Sequence, residues 1–219
     1  MIGPLIGIGG VSLVLLAAEY LWQTNRFHKA EVSRKFVHIL AGVFIASWAF
    51  FMPFWLIRAL SLLLLMGVFV TKRLRLFNSI HHVSRPTYGT YLFPIGIWLS
   101  ALFATTDWVY VAAILHLSLA DGFAALVGTR FLKHRKHKYN VFGQPKTIMG
   151  TATFYVFSLL ITAAVVLYDQ PVYNAVAMGL IFWLPLSTTL LENLGVYGTD
   201  NVLIPMLVVI VLNTLQTIA

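Results

Sequence analysis

Apolar runs of membrane-crossing length follow one another along almost the whole chain, cut by short polar or Gly/Pro-marked stretches. About 20 apolar residues carry a helix across the hydrocarbon core. The pattern predicts eight spans: Ile2–Trp22, Phe36–Phe51, Phe54–Thr71, Tyr91–Thr105, Trp108–Phe131, Thr151–Tyr168, Val172–Leu194 and Asn201–Ile218. Met52-Pro53 marks a tight turn between the second and third. The fourth is short and is interrupted by Pro94 and Gly96. The first has no basic n-region and no cleavage site, so it reads as a retained span rather than a signal peptide. No low-complexity tract and no halving of the kind left by inverted-repeat transporters is visible. The fold class is all-α: a polytopic transmembrane helix bundle, residues 1–219 forming a single integral membrane domain.

Composition agrees. Of 219 residues 59% are hydrophobic and 10% charged, with mean hydropathy +0.85. Soluble domains carry about 25% charged residues, so that class is excluded. There is no cysteine, which removes disulfides, thiolate metal sites and a thiol nucleophile.

The net charge of +8 would suggest nucleic acid in a soluble protein, but no nucleic-acid module is recognisable. The basic residues instead fall into three loops. Arg26, Lys29, Arg34 and Lys35 follow the first span. Lys72, Arg73, Arg75 and Arg85 follow the third. Arg130, Lys133, Arg135, Lys136, Lys138 and Lys146 follow the fifth. Only Arg58 lies elsewhere among the 15. Eight spans put those loops on one side, which the positive-inside rule makes the cytoplasm, with both termini outside. The expected location is the cell (inner) membrane. Asp107 and Asp169 fall in outer turns, where solvation suffices for them. Glu19, Glu31, Asp121, Glu192 and Asp200 all lie in or near cytoplasmic ends. Acids inside membrane helices are costly and usually functional.

Five segments could carry chemistry. In Arg34-Lys35-Phe36-Val37-His38, two cations and an imidazole share a helix face and would suit phosphate oxygens. An anchoring role with a Glu31–Lys35 pair is the alternative. Arg85-Pro86-Thr87-Tyr88-Gly89 to Pro94 is a polar re-entry into a broken span, of the kind tolerated beside a polar cavity. Asp121-Gly122-Phe123-Ala124-Ala125-Leu126-Val127-Gly128 sets a carboxylate beside small residues at three-residue spacing. That suits either Mg²⁺ with nucleotide phosphates or a packing seam. Lys146-Thr147-Ile148-Met149-Gly150-Thr151 opens the sixth span as an anion site, without the Walker A pattern. Glu192, Asp200 and Asn201 supply oxygen ligands for a divalent cation or a base for a hydroxyl, or cap a helix. His81-His82 and His134/His137 read as surface histidines rather than metal ligands. Asp121-Gly122 begins like the CDP-alcohol phosphotransferase signature, but its Arg and two later Asp are missing, which excludes that family. If Asp121 is held by a bound cation, Asp121→Asn should leave the fold intact; if it pairs with a cation such as Arg34, stability should fall.

Together these segments resemble the polyprenol kinase family: dolichol kinase, phytol and farnesol kinases, and the CTP-dependent diacylglycerol kinase. The likeness rests on Arg34-Lys35-x-x-His38, the Arg85–Pro94 stretch, Asp121-Gly122-x-x-Ala125-x-x-Gly128, Lys146-Thr147-x-x-Gly150-Thr151, and Glu192 with Asp200-Asn201-x-x-x-Pro205. It runs from about residue 31 to 206. Ile148 and Met149 stand where the family usually has an acid or small residue. The resemblance implies transfer of the γ-phosphate of CTP, with Mg²⁺, to the hydroxyl of an isoprenoid alcohol or diacylglycerol-like lipid at a site facing the cytoplasm. On that reading Asp121, Asp200 and Asn201 hold the metal. Arg34, Lys35, Arg85, Lys146, Thr147 and Gly150 bind the nucleotide. Asp121, His38 and Glu192 are the catalytic candidates, with His38 or Glu192 as base. The rival readings are a phosphatidate cytidylyltransferase-like transfer to a lipid phosphate, and a non-enzymatic transporter or scaffold.

Overall fold

A computed structural model describes residues 2–24, 30–77, 87–131, 138–169 and 175–218. Among them are eight helices: α1 Ile2–Gln23, α2 Ala30–Ala46, α3 Phe54–Arg73, α4 Gly89–Phe103, α5 Asp107–Phe131, α6 Ile148–Asp169, α7 Ala175–Leu194 and α8 Asp200–Ile218. Seven are long and apolar enough to cross a membrane. The exception is α4, whose 15 residues reach ~22 Å at 1.5 Å per residue. One element breaks the all-helical pattern, an antiparallel hairpin of β1 Lys138–Val141 and β2 Gln144–Thr147. Its turn, Phe142-Gly143, has positive φ at both residues, as a two-residue hairpin turn requires.

Local sequence sets the helix ends. After α2 the chain tightens into a 3₁₀ turn, Ser47–Phe50, and the Phe51 and Met52 N–H groups both donate to the Trp48 carbonyl. Pro53, with φ already near the helical value, then leads into α3. Thr106 caps α5 by accepting from the Val109 N–H. Thr147 caps α6 by accepting from the Gly150 N–H at 3.1 Å. Helix α2 begins six residues before the predicted Phe36, so Arg34 and Lys35 lie within it.

Successive helices alternate in direction. Gly42 of α2 packs on Ser118 of α5, and Ile39 on Gly122. Further along the alternation, Gly128 meets Gly150 across α5 and α6, and Ser158 bonds Thr188 across α6 and α7. The starts of α2, α4, α6 and α8 therefore share one end with the finishes of α1, α3, α5 and α7. At the opposite end a polar knot joins the α4–α5 turn to α6 and α8. Thr105 donates to Asn213 at 2.7 Å, and Gln216 donates to Asp169 at 2.8 Å. Asp169 is thus tied into the fold and not merely solvated.

The core lies around α2 and α5, 67% and 61% buried, whereas α1 and α3 are 17% and 22% buried. Leu5, Leu13, Met66, Phe69 and Trp183 face outward, as lipid-facing positions do. Three glycines at two seams bring helices close. Side chains at Gly42 and Gly122 would collide with α2–α5 neighbours. One at Gly96 of α4 would sit 2.1 Å from the Asn201 carbonyl. That carbonyl's helical donor position is Pro205, which has no N–H.

Candidate active site

The cluster sits at the end where α2, α4, α6 and α8 begin. Within α5, a π-helical turn at His116–Ala120 immediately precedes Asp121; such turns insert an extra residue and so rotate the next helical turn to a new direction. The Ser118 hydroxyl and the His116 ring both bond back to carbonyls four residues earlier. Asp121 then faces α2. Its carboxylate accepts from the Lys35 ammonium and lies 3.1 Å from His38 Nε2. All three are nearly inaccessible, at 4–7% exposure. His38 Nε2 also meets the Leu117 carbonyl at 2.7 Å. A ring nitrogen facing a carbonyl must carry its proton, so in the neutral imidazole Nδ1 is the acceptor. The His38 ring leans on Phe93 of α4, centroids 4.5 Å apart.

Arg34, one residue before Lys35, points elsewhere. Its guanidinium makes a two-pronged pair with Glu31, at 2.7 and 3.1 Å. The anchoring Glu31–Lys35 pair considered from sequence is therefore replaced by Glu31–Arg34, and Asp121 pairs with Lys35 and His38 rather than Arg34. Lys146, on β2, reaches α7 and donates to both the carboxylate (2.6 Å) and carbonyl (2.7 Å) of Glu192. Asp200, opening α8, is close enough to feel the charges of Asp121, Lys35, Lys146 and Arg34. Asn201 beside it is buried. Its Nδ2 donates to the Gly198 carbonyl at 2.9 Å and to Asp200 Oδ1 at 3.5 Å, but among the described residues its Oδ1 has no hydrogen-bond partner.

Arg34, Lys35, His38, Asp121, Lys146, Glu192, Asp200 and Asn201 thus come together from five elements. Thr147 and Gly150 lie at the edge in fold-building roles: Thr147 as the α6 cap, Gly150 packed on Gly128 and the Ala124 carbonyl. The three-residue spacing of Gly122, Ala125 and Gly128 does not form one seam. Gly122 faces α2 while Ala124 and Gly128 face α6. Arg85, with His81 and His82, lies outside the described residues, as do His134 and His137.

Two features escaped the sequence reading. Tyr139 of β1 hydrogen-bonds through its hydroxyl to both Thr151 and Asn193, pinning the hairpin over the α6–α7 seam. Alternating Tyr139 and Val141 before Phe-Gly was the available signal. The other is the turn into α8. Tyr197 and Gly198 have positive φ, and a side chain at Gly198 would lie 2.5 Å from the Gly89 N. That close approach brings the start of α4 beside Asn201 and Arg34.

Among the described residues no group of three or more His, Asp or Glu stands ready to hold a metal. The donors present are nonetheless hard oxygens: two carboxylates and the orphaned, buried Asn201 Oδ1. They fit a cation that takes its remaining ligands from another molecule.

Against the cluster lies a cavity of about 140 Å³ between α1, α2, α3 and α4. Leu15, Val37, Ala41, Val68 and Phe93 form its walls, and Arg34 and His38 line it as well. A buried charge cluster at helix ends thus shares residues with an apolar chamber inside a bundle of membrane-crossing length.

The comparison with known proteins is specific. The chain is 33% identical over 198 residues to a phytol kinase from Synechocystis, covering 88% of this chain and 82% of that protein. No family model matches the chain, and no solved structure does. The chain belongs to the polyprenol and phytol kinase family, and is a phosphotransferase acting on an alcohol.

Proposed function

We propose that the protein transfers the γ-phosphate of CTP to the hydroxyl of an isoprenoid alcohol. The observation that carries this reading is the sharing of Arg34 and His38 between the charge cluster and the apolar cavity. Phosphoryl transfer asks a protein mainly for cations, a metal and positioning.

The alcohol oxygen bonds to the γ-phosphorus as the bond to the β–γ bridging oxygen breaks, and CDP leaves with that electron pair. The hydroxyl proton passes to His38 or Glu192. His38 is favoured by its place on the cavity wall and by Nδ1, the acceptor nitrogen. Asp121, on Nε2, orients the ring and stabilises the imidazolium that forms. Arg34, Lys35 and Lys146 bind triphosphate oxygens by exchanging their carboxylate partners for phosphate. Asp121, Asp200 and Asn201 would hold Mg²⁺. When bound, the ion neutralises charge on the triphosphate oxygens. The nucleotide comes from the cytoplasm, on the side of the basic loops, and both termini lie outside the cell membrane.

The deciding assay uses purified protein with γ- or α-labelled CTP, Mg²⁺ and a panel of lipid alcohols. Label in the lipid from γ-labelled CTP alone is expected. Transfer of α-label to a lipid phosphate would make the protein a cytidylyltransferase. Absence of both, without stabilisation by CTP and Mg²⁺, would point to a transporter or scaffold.

A further inference from the structure

The cavity's size and its opening say which part of the acceptor it can hold. Its volume, about 140 Å³, is close to that of a buried apolar cavity that binds one benzene. It can therefore enclose about one five-carbon isoprene unit and no more. One wall position differs from the rest. Gly67 of α3 lines the cavity yet is exposed on the outer face of the bundle, and a side chain built there meets nothing within 4 Å. Gly67 thus joins the chamber to the surface of α3, which with α1 is least covered by protein.

We propose that this cavity is the acceptor subsite. It seats only the isoprene unit next to the hydroxyl, with the hydroxyl at His38 and Arg34, while the rest of the tail leaves past Gly67 into the bilayer. The proposal rests on the alcohol-kinase reading and deepens it. An enclosed first unit and a lipid-solvated remainder make the enzyme selective near the hydroxyl and indifferent to tail length. Diacylglycerol is excluded on size, because two acyl chains branch next to its hydroxyl and cannot both enter a chamber of about 140 Å³.

Two measurements test this. In the first, geraniol, farnesol, geranylgeraniol and diacylglycerol are compared as acceptors for the wild type, Gly67→Ala and Gly67→Phe, with melting temperature recorded for each. The expected result is similar KM for the three prenols and no turnover of diacylglycerol. Gly67→Phe should raise the prenol KM about tenfold or more by displacing apolar contacts, with the KM for CTP and the melting temperature unchanged. Gly67→Ala should lie between. A Gly67→Phe enzyme with unaltered prenol KM, or a KM that tracks tail length, overturns the subsite and leaves the kinase reading standing.

The second measurement needs no turnover. A farnesol analogue carrying a photoreactive diazirine on its first isoprene unit should label cavity-wall positions such as Leu15, Val37, Ala41, Val68 or Phe93, and Gly67→Phe should abolish the labelling. Labelling elsewhere overturns the subsite even if no phosphate transfer is found.

Discussion

Lys35, His38 and Asp121 form a buried trio in which each charge depends on the others. Removing one partner of a buried ion pair costs about 3–5 kcal/mol because the other charge stays buried. Asp121→Asn is therefore expected to lower the melting temperature in detergent sharply, contrary to a carboxylate held only by a metal. The double variant Lys35→Met/Asp121→Asn removes both charges and should recover most of that stability while staying inactive. Stability that stays lost in the double variant would show that the pair is not the cause. Asn201 gives the complementary case. Its Oδ1 has no partner among the described residues, so Asn201→Ala should cost only the Nδ2 bonds, to the Gly198 carbonyl and, longer at 3.5 Å, to Asp200, about 1 kcal/mol. If the amide oxygen is a metal ligand, the Mg²⁺ concentration needed for half-maximal stabilisation by CTP should rise about tenfold or more. An unchanged Mg²⁺ requirement would remove Asn201 from the metal site.

Glycine contacts decide how closely the helices pack. A Cβ on Gly42 would sit 2.1 Å from Ser118 Cβ, whereas one on Gly9 meets nothing within 4 Å. Gly42→Ala should destabilise by about 1–3 kcal/mol through overpacking, and Gly9→Ala should be neutral by the same melting measurement. The spans themselves were legible in the sequence because apolar runs and Pro53 mark them directly. The start of α2 was not, because charged residues that look like loop continue the helix when they are paired inside the bundle, as Arg34 and Lys35 are; α6 starts three residues early, at Ile148, where Thr147 caps it. Periodicity also misled at Gly122, Ala125 and Gly128. Three-residue steps drift around a 3.6-residue helix, so these positions reach different neighbours. The residue types of the site were readable; their pairing was not. Whether Asp121 meets Arg34 or Lys35 depends on the π turn before it, which no residue pattern announces. The Tyr139 bridge was hidden similarly, since its partners lie on other elements.

At the scale of the whole molecule, charge and architecture converge on one topology. Eight helices of alternating direction put the segments after α1, α3, α5 and α7 at the site end, and fourteen of the fifteen basic residues lie in or beside the first three of these segments. At 15 residues α4 is short for a ~30 Å core, yet it still connects the two ends. It starts at Gly89 beside Gly198 and finishes at Phe103, whose carbonyl accepts from Asn213. If α4 were a re-entrant segment, every later helix would invert, and the basic segment after α5 would lie opposite the one after α3. The absence of native cysteine makes this directly measurable. Single cysteines at Arg75, exposed in the segment between α3 and α4, and at Asp107, exposed just after α4, should react with a membrane-impermeant maleimide from opposite faces of sealed vesicles. Arg75→Cys should react only from the cytoplasmic face and Asp107→Cys only from the outer one, since the positive end stays inside. Reaction of both from one face would exclude α4 as a crossing helix. A swap of the two faces would instead keep the eight crossings but move the nucleotide site outside, where no cytoplasmic CTP reaches it.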